Sequence, residues 1–294
     1  MFSFKKINPF IKLYFSNIFF IRACPSLTLG LVCYGVRSRS RASLRSAPAS
    51  PPSASLTHFN SKLLYFCIPT LLILNSCKKD NVSTTLVLGK DYFPVSINHY
   101  IVYDVDSTVY DEITHQPTTY KYRLKEIITQ SFTNDENTTS YRLERYIKYF
   151  DSTKSYDQIP WQIKNVWTII PYSNSIEKVE ENIRFVKLIF PVKQNAQWNG
   201  NAKNTLGEKI YKYEYIDNSE NINNTHFDKV LKVKQYEYRS LIKYQNEYEK
   251  YAKNVGLVYK EIINLESQNI IPNVPVENRA EKGYILRMQV VEWK

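Results

Sequence analysis

The body of this 294-residue chain is predicted to be all-β and mainly antiparallel, a single curved sheet or incomplete barrel, lipocalin-like or LolA-like in general shape. Composition is the first reason. Between Asp80 and Lys294 stand 22 Ile, 18 Val and 21 Tyr against 4 Ala and 11 Leu, a preference for β-branched and aromatic residues over the best helix formers. Alternation is the second, because apolar residues recur at every other position with charged ones between them. The third is the lack of any βαβ alternation or glycine-rich phosphate loop, which argues against a nucleotide-binding α/β protein.

Taken in order, Ile101, Tyr103 and Val105 share one strand face, and Tyr141, Leu143, Ile147 and Tyr149 define a second strand. Further strands are expected at 120–128, 166–170, 182–190, 209–216, 229–238, 257–265 and 284–293, nine or ten in all. Asn199 and Gly200 form the dipeptide that suits a type I′ hairpin turn, since both tolerate positive φ. Gly256 and Gly283 are expected to mark two more turns. Over 241–254 the spacing of Leu241, Tyr244, Tyr248 and Tyr251 also fits one helical face, and a strand is assigned only to 248–253. A chain of this size can bury one sizeable core without disulfides.

The formal charge of +11 points at first to nucleic acid or a membrane surface. It is concentrated at one end: residues 1–77 hold nine basic side chains and no Asp or Glu, which leaves 30 basic against 28 acidic in the body. No nucleic-acid partner is therefore expected. All four cysteines, Cys24, Cys33, Cys67 and Cys77, also lie in that first segment, so the body can form neither a disulfide framework nor a thiolate metal site.

Lys62 followed by the 14 apolar-rich residues 63–76 has the dimensions of a signal-peptide core and is too short for the roughly 20 residues of a membrane span. It runs into Leu74, Asn75, Ser76 and Cys77, which resembles a bacterial lipobox: an aliphatic residue at minus three, a small one at minus one, then the cysteine to be acylated. Cleavage is expected between Ser76 and Cys77, with lipidation of the Cys77 thiol, the only good nucleophile there. The resulting division is 1–61 a mistaken and disordered N-terminal extension, 62–76 a lipoprotein signal peptide, 77–90 the lipidated cysteine and tether, and 91–294 the β domain. Its Arg37 to Arg45 run and Ala, Ser and Pro-rich stretch set the extension apart. Lys78 rather than Asp after Cys77 suggests the outer membrane by likeness to bacterial sorting rules, on either its periplasmic or its surface face.

Asp91, Tyr92, Phe93 and Pro94, followed by Tyr100 and the run from Val102 to Asp111, resemble the opening of a group of uncharacterised β-rich lipoproteins of the Bacteroidota. Residues 181–191, 198–201 and 251–261 are similar to the same group. The chain departs from it at Asn98 and Tyr100, where Gly and Trp are usual. The resemblance implies an anchored β-rich domain and no established chemistry, so it assigns no site residue beyond Cys77.

Chemical candidates are few. Asp104 and Asp106 share a strand face and, with Asp111 and Glu112, can supply oxygens to calcium, but the glycine of a calcium loop is missing and a solvated strand face is the better reading. His99, His115 and His226 have no second ligand at metal spacing. Ser107 is not in a nucleophile elbow. Trp161, Trp167, Trp198 and the tyrosines fit cross-strand and core pairs better than a glycan or lipid groove. No catalytic, cofactor-binding or metal residue is assigned. The function expected is a non-catalytic envelope module binding lipid, glycan or envelope protein, with a small periplasmic or surface hydrolase as the alternative.

Overall fold

The computed structural model describes residues 88–294, so the signal, Ser76 and Cys77 lie outside the described residues. The chain forms twelve strands: β1 (Tyr100–Tyr110), β2 (Pro117–Thr133), β3 (Thr139–Tyr149), β4 (Gln162–Pro171), β5 (Ser175–Glu180), β6 (Ile183–Ile189), β7 (Gln197–Asn199), β8 (Ile210–Ile222), β9 (Thr225–Arg239), β10 (Lys243–Ala252), β11 (Gly256–Glu266) and β12 (Lys282–Trp293). All lie in one sheet in the order β6-β5-β4-β3-β2-β1-β12-β11-β10-β9-β8-β7. The registers are antiparallel throughout. The first and last strands pair, Tyr103 opposite Val290, so a meander curls into a nearly closed barrel whose single seam lies between β6 and β7.

Side chains and one backbone bond bridge that seam where ladder bonds do not. Val186 N donates to Gly200 O (2.9 Å), and Trp198 Nε1 donates to Val186 O (2.9 Å). The Tyr213 hydroxyl accepts from Ile189 N (2.9 Å) and donates to Ile189 O (2.7 Å), while Asn204 Nδ2 donates to Arg184 O (2.9 Å). Unpaired strand edges invite aggregation, and here the edge groups of Val186 and Ile189 are satisfied within the chain. The expected incomplete barrel is thus observed, with more strands than the sequence indicated.

Two strands escaped the alternation pattern. β5 carries Glu177 and Lys178 on buried positions, which removes the apolar half of the signal; β7 is only three residues long. Asn199 and Gly200 do not make a hairpin turn. β7 and β8 are joined through 200–209, and Gly200 is required because the Tyr211 ring lies where its Cβ would be. The two-residue turns with positive φ at both positions occur instead at Glu181-Asn182 (50°, 65°) and Asn223-Asn224 (46°, 59°). Gly256 does follow a turn, whereas Gly283 sits within β12 opposite Tyr110 and Leu265. Residues 241–254 contain no helix: β10 runs over Lys243–Ala252, with Tyr251 buried and Tyr244 and Tyr248 partly exposed.

One barrel end is plugged by 88–99. Tyr92 is buried and donates its hydroxyl to Asp217 (2.8 Å), Asn254 N donates to Asp91 O (2.7 Å), and a His99 ring nitrogen meets Val255 O (3.0 Å). Part of the inward face is apolar, with Ile101, Val105, Leu124, Val230, Val258 and Val290 among its members.

Candidate functional site

The interior then changes character. Six strands send charged groups into one layer: Glu126 from β2, Arg145 from β3, Lys178 and Glu180 from β5, Lys187 from β6, Glu249 from β10 and Lys260 from β11. Glu126 and Arg145 follow from ordinary alternation. Leu124, Glu126 and Ile128 share a face, as do Leu143, Arg145 and Ile147, so a charge whose neighbours two positions away are apolar is carried inside with them.

Burying such charges is costly unless they are paired, and here they form a chain of pairs. Arg145 Nε lies 2.8 Å and Lys178 Nζ 3.1 Å from the two oxygens of Glu126. Glu180 stands 3.9 Å from Lys178 and 3.7 Å from Lys187. Glu249, 1% exposed, takes Lys187 (2.8 Å) and Lys260 (3.0 Å) on one oxygen and the Tyr251 hydroxyl (2.6 Å) on the other. The Arg145 guanidinium and Lys178 ammonium both stand over the Trp167 ring, at 3.4 and 4.5 Å from its centre.

Burial alone would raise the Glu126, Glu180 and Glu249 carboxyls, but the neighbouring ammonium and guanidinium groups outweigh it and hold all three below the ordinary range. Lys187 and Lys260 are likewise pushed down by burial and carried above the usual lysine value by Glu249 and Glu180. Lys178 moves the other way: burial, helped by Arg145 and Lys187, prevails over Glu126 and Glu180. A carboxylate held low is a weak proton acceptor at neutral pH, so these three glutamates are suited to electrostatic holding. Beside it lies a cavity of about 60 Å³, bounded on its other side by Phe93, Ile101, Leu143 and Met288.

Of the candidates singled out in sequence, Trp167 and His99 line this cavity and the others fall elsewhere. Asp104 pairs with Arg123 (2.7 Å), Asp106 is exposed, and Asp111 accepts from the backbone of Ile113 and Thr114 in a turn. Among the described residues no His, Cys, Asp and Glu group is arranged to hold a metal. Ser107 is buried on β1, and His115 meets Glu281 O. Trp167 and Trp198 are core residues, and Trp161 lies under the Lys148 ammonium. One constellation had no sequence signal: Ser219 Oγ is 3.1 Å from His226 Nε2, and His226 Nδ1 is 2.8 Å from Asn221 Oδ1. It is exposed on the β8–β9 hairpin, outside the lining of the interior cavity.

The barrel end opposite the plug is formed by the loops 111–116, 150–161, 240–242 and 267–281. Large apolar side chains stand out there: Leu241 is 71% and Phe150 56% exposed, with Ile113, Ile270 and Ile271 also in solvent. An open groove of about 550 Å³ runs beside the 150–161 loop, lined by Tyr149, Phe150, Lys154, Gln158, Ile159 and Pro160.

No protein-family model matches the chain, and no curated protein matches it in sequence. Two solved structures are similar in shape. A Bacteroides fragilis protein described as exported, with a YmcC-like fold, shares 10% identity over 69% of this chain and 98% of its own, at a TM-score of 0.36. A Parabacteroides distasonis protein described as a lipoprotein shares 12% identity over the same proportions, at 0.32. Neither likeness is close enough to bear on the site.

Proposed function

We propose that this chain is a cell-envelope lipoprotein, anchored through Cys77 in the outer membrane, that binds an envelope protein without transforming it. The observation that carries this reading is the unequal distribution of exposed apolar side chains over the barrel. The plugged end, where the chain enters at Leu88, exposes Ile97, Phe132 and Trp293, whereas the opposite loops present Ile113, Phe150, Leu241, Ile242, Ile270 and Ile271. A domain tethered at its Leu88 end presents those loops away from its own anchor, and clustered exposed apolar residues mark interaction surfaces.

Lipid and glycan are weaker partners for the barrel interior and for the surface around Trp198. The interior cavity of about 60 Å³ is well below the roughly 300 Å³ at which small-molecule pockets begin. Trp198, the residue around which a glycan surface would be sought, is buried in the seam. A second reading, a small hydrolase, is favoured only by the Ser219, His226 and Asn221 contacts. Their exposure to water deprives them of the low-dielectric setting in which such groups act strongly.

A photo-crosslinking residue placed at Phe150 in cells is expected to yield a discrete protein adduct, and the same residue at Trp293 none. The double variant Phe150→Ser with Leu241→Ser should weaken binding to that partner about 10-fold or more, the loss expected for two anchor residues. Turnover of an ester or glycoside by purified protein, abolished by Ser219→Ala, would replace this reading with the hydrolase.

Anchoring has its own expected result. Acyl chains contribute about 0.8 kcal/mol per buried methylene, and stable attachment takes two or more chains. Cys77→Ala should therefore shift the protein from the membrane to the soluble fraction, and unchanged fractionation would remove Cys77 from this role. Protease shaving of intact cells decides between the surface and periplasmic faces.

A further inference from the structure

We propose that the barrel interior holds a monovalent anion of chloride size in the cavity bordered by Tyr103, Arg145, Lys178 and Lys260. The first argument is charge. The layer contains Arg145, Lys178, Lys187 and Lys260 against Glu126, Glu180 and Glu249, four cations to three carboxylates. The neighbouring acids are engaged elsewhere: Glu247 is paired with Lys209, Glu261 with Arg287, and Glu181 is exposed and accepts from Trp167 Nε1 (3.1 Å). An uncompensated charge in such a place is strongly unfavourable. Lys260 is the cation least well compensated, since its one carboxylate, Glu249, gives the same oxygen to Lys187.

The second argument is hydrogen bonding and is independent of charge. Each lysine ammonium carries several donors, yet the close carboxylate contacts are one for Lys178, at 3.1 Å, one for Lys187, at 2.8 Å, and one for Lys260, at 3.0 Å. The Tyr103 hydroxyl is buried and has no hydrogen-bond partner. Donors in excess of acceptors, lining one cavity, call for an acceptor.

Size and valence select its class. A space of about 60 Å³ has room for a halide and a few waters, given roughly 10 to 15 Å³ for each water-sized centre, and none for a sugar or an acyl chain. Water alone satisfies donors and leaves the excess positive charge, whereas a divalent anion would overshoot it. The apolar wall of Phe93, Ile101, Leu143 and Met288 suits a weakly hydrated monovalent ion. This inference concerns the interior and stands apart from the partner surface at the loops.

Crystals of the purified protein grown in bromide should show an anomalous peak in this cavity. Thermal unfolding at constant ionic strength should rise by roughly 5 °C, saturably, when gluconate is replaced by chloride or bromide. Lys260→Met should abolish that halide-dependent rise. Tyr103→Phe, which keeps the ring and therefore the fold, should weaken halide affinity about 5-fold or more. A cavity without anomalous signal, equal melting temperatures in chloride and gluconate, or a full halide response in Tyr103→Phe would each overturn the proposal.

Discussion

Glu249→Ala is expected to lower the unfolding free energy by about 4 kcal/mol, because it leaves Lys187 and Lys260 in the interior without the carboxylate that holds them. Equilibrium denaturation measures the loss, and a change under about 1 kcal/mol would show that the layer is hydrated and contributes little. The same carboxylates predict an acid limb. Folding depresses the values of Glu126, Glu180 and Glu249, so their contribution is complete above the unfolded glutamate value of about 4.3 and is lost as the pH falls through the lower folded values. Stability should therefore decline below about pH 4, and less steeply in Glu249→Gln, which retains the shape of the side chain and removes its titration.

Gly283→Ala is expected to cost about 3 kcal/mol through a separate mechanism. Gly283 sits within β12 at φ 109°, a conformation that L side chains rarely adopt, and a Cβ there would run into the carbonyl oxygen of Asn264 and crowd the backbone of Leu265. The neighbouring strand cannot retreat without giving up its own pairing, since Asn264 and Leu265 lie in the β11–β12 ladder. Gly207→Ala is the control: it also has positive φ, but nothing lies within 4 Å of its added carbon. It should cost about 1 kcal/mol. Equal losses at the two sites would mean that backbone conformation alone matters and that the close approach at Asn264 is relieved freely.

The interior layer shows how the same sequence can be both readable and misleading. At Leu124, Glu126 and Ile128 the alternation correctly marks a strand, and it also puts Glu126 on the apolar face. Taken singly, a charge on that face looks like a defect in the pattern. The defect recurs at Arg145, Lys178, Lys187, Glu249 and Lys260, on strands whose proximity depends on the closure of the sheet. The surplus of cations becomes visible only once those strands are assembled.

What the amino-acid sequence determined by itself is local: the all-β class and the existence and approximate limits of nine or ten strands. These follow from interactions between residues close along the chain, such as β-branched propensity and two-residue alternation, and need no knowledge of distant partners. The tertiary structure decided the rest. Pairing of β1 with β12 closed the sheet, Trp198 and Tyr213 sealed its seam, and the oppositely charged residues of six strands met in one interior layer. Those outcomes depend on which far-separated backbone edges pair and in what register, and a shift of one residue would turn the inward charges out to water.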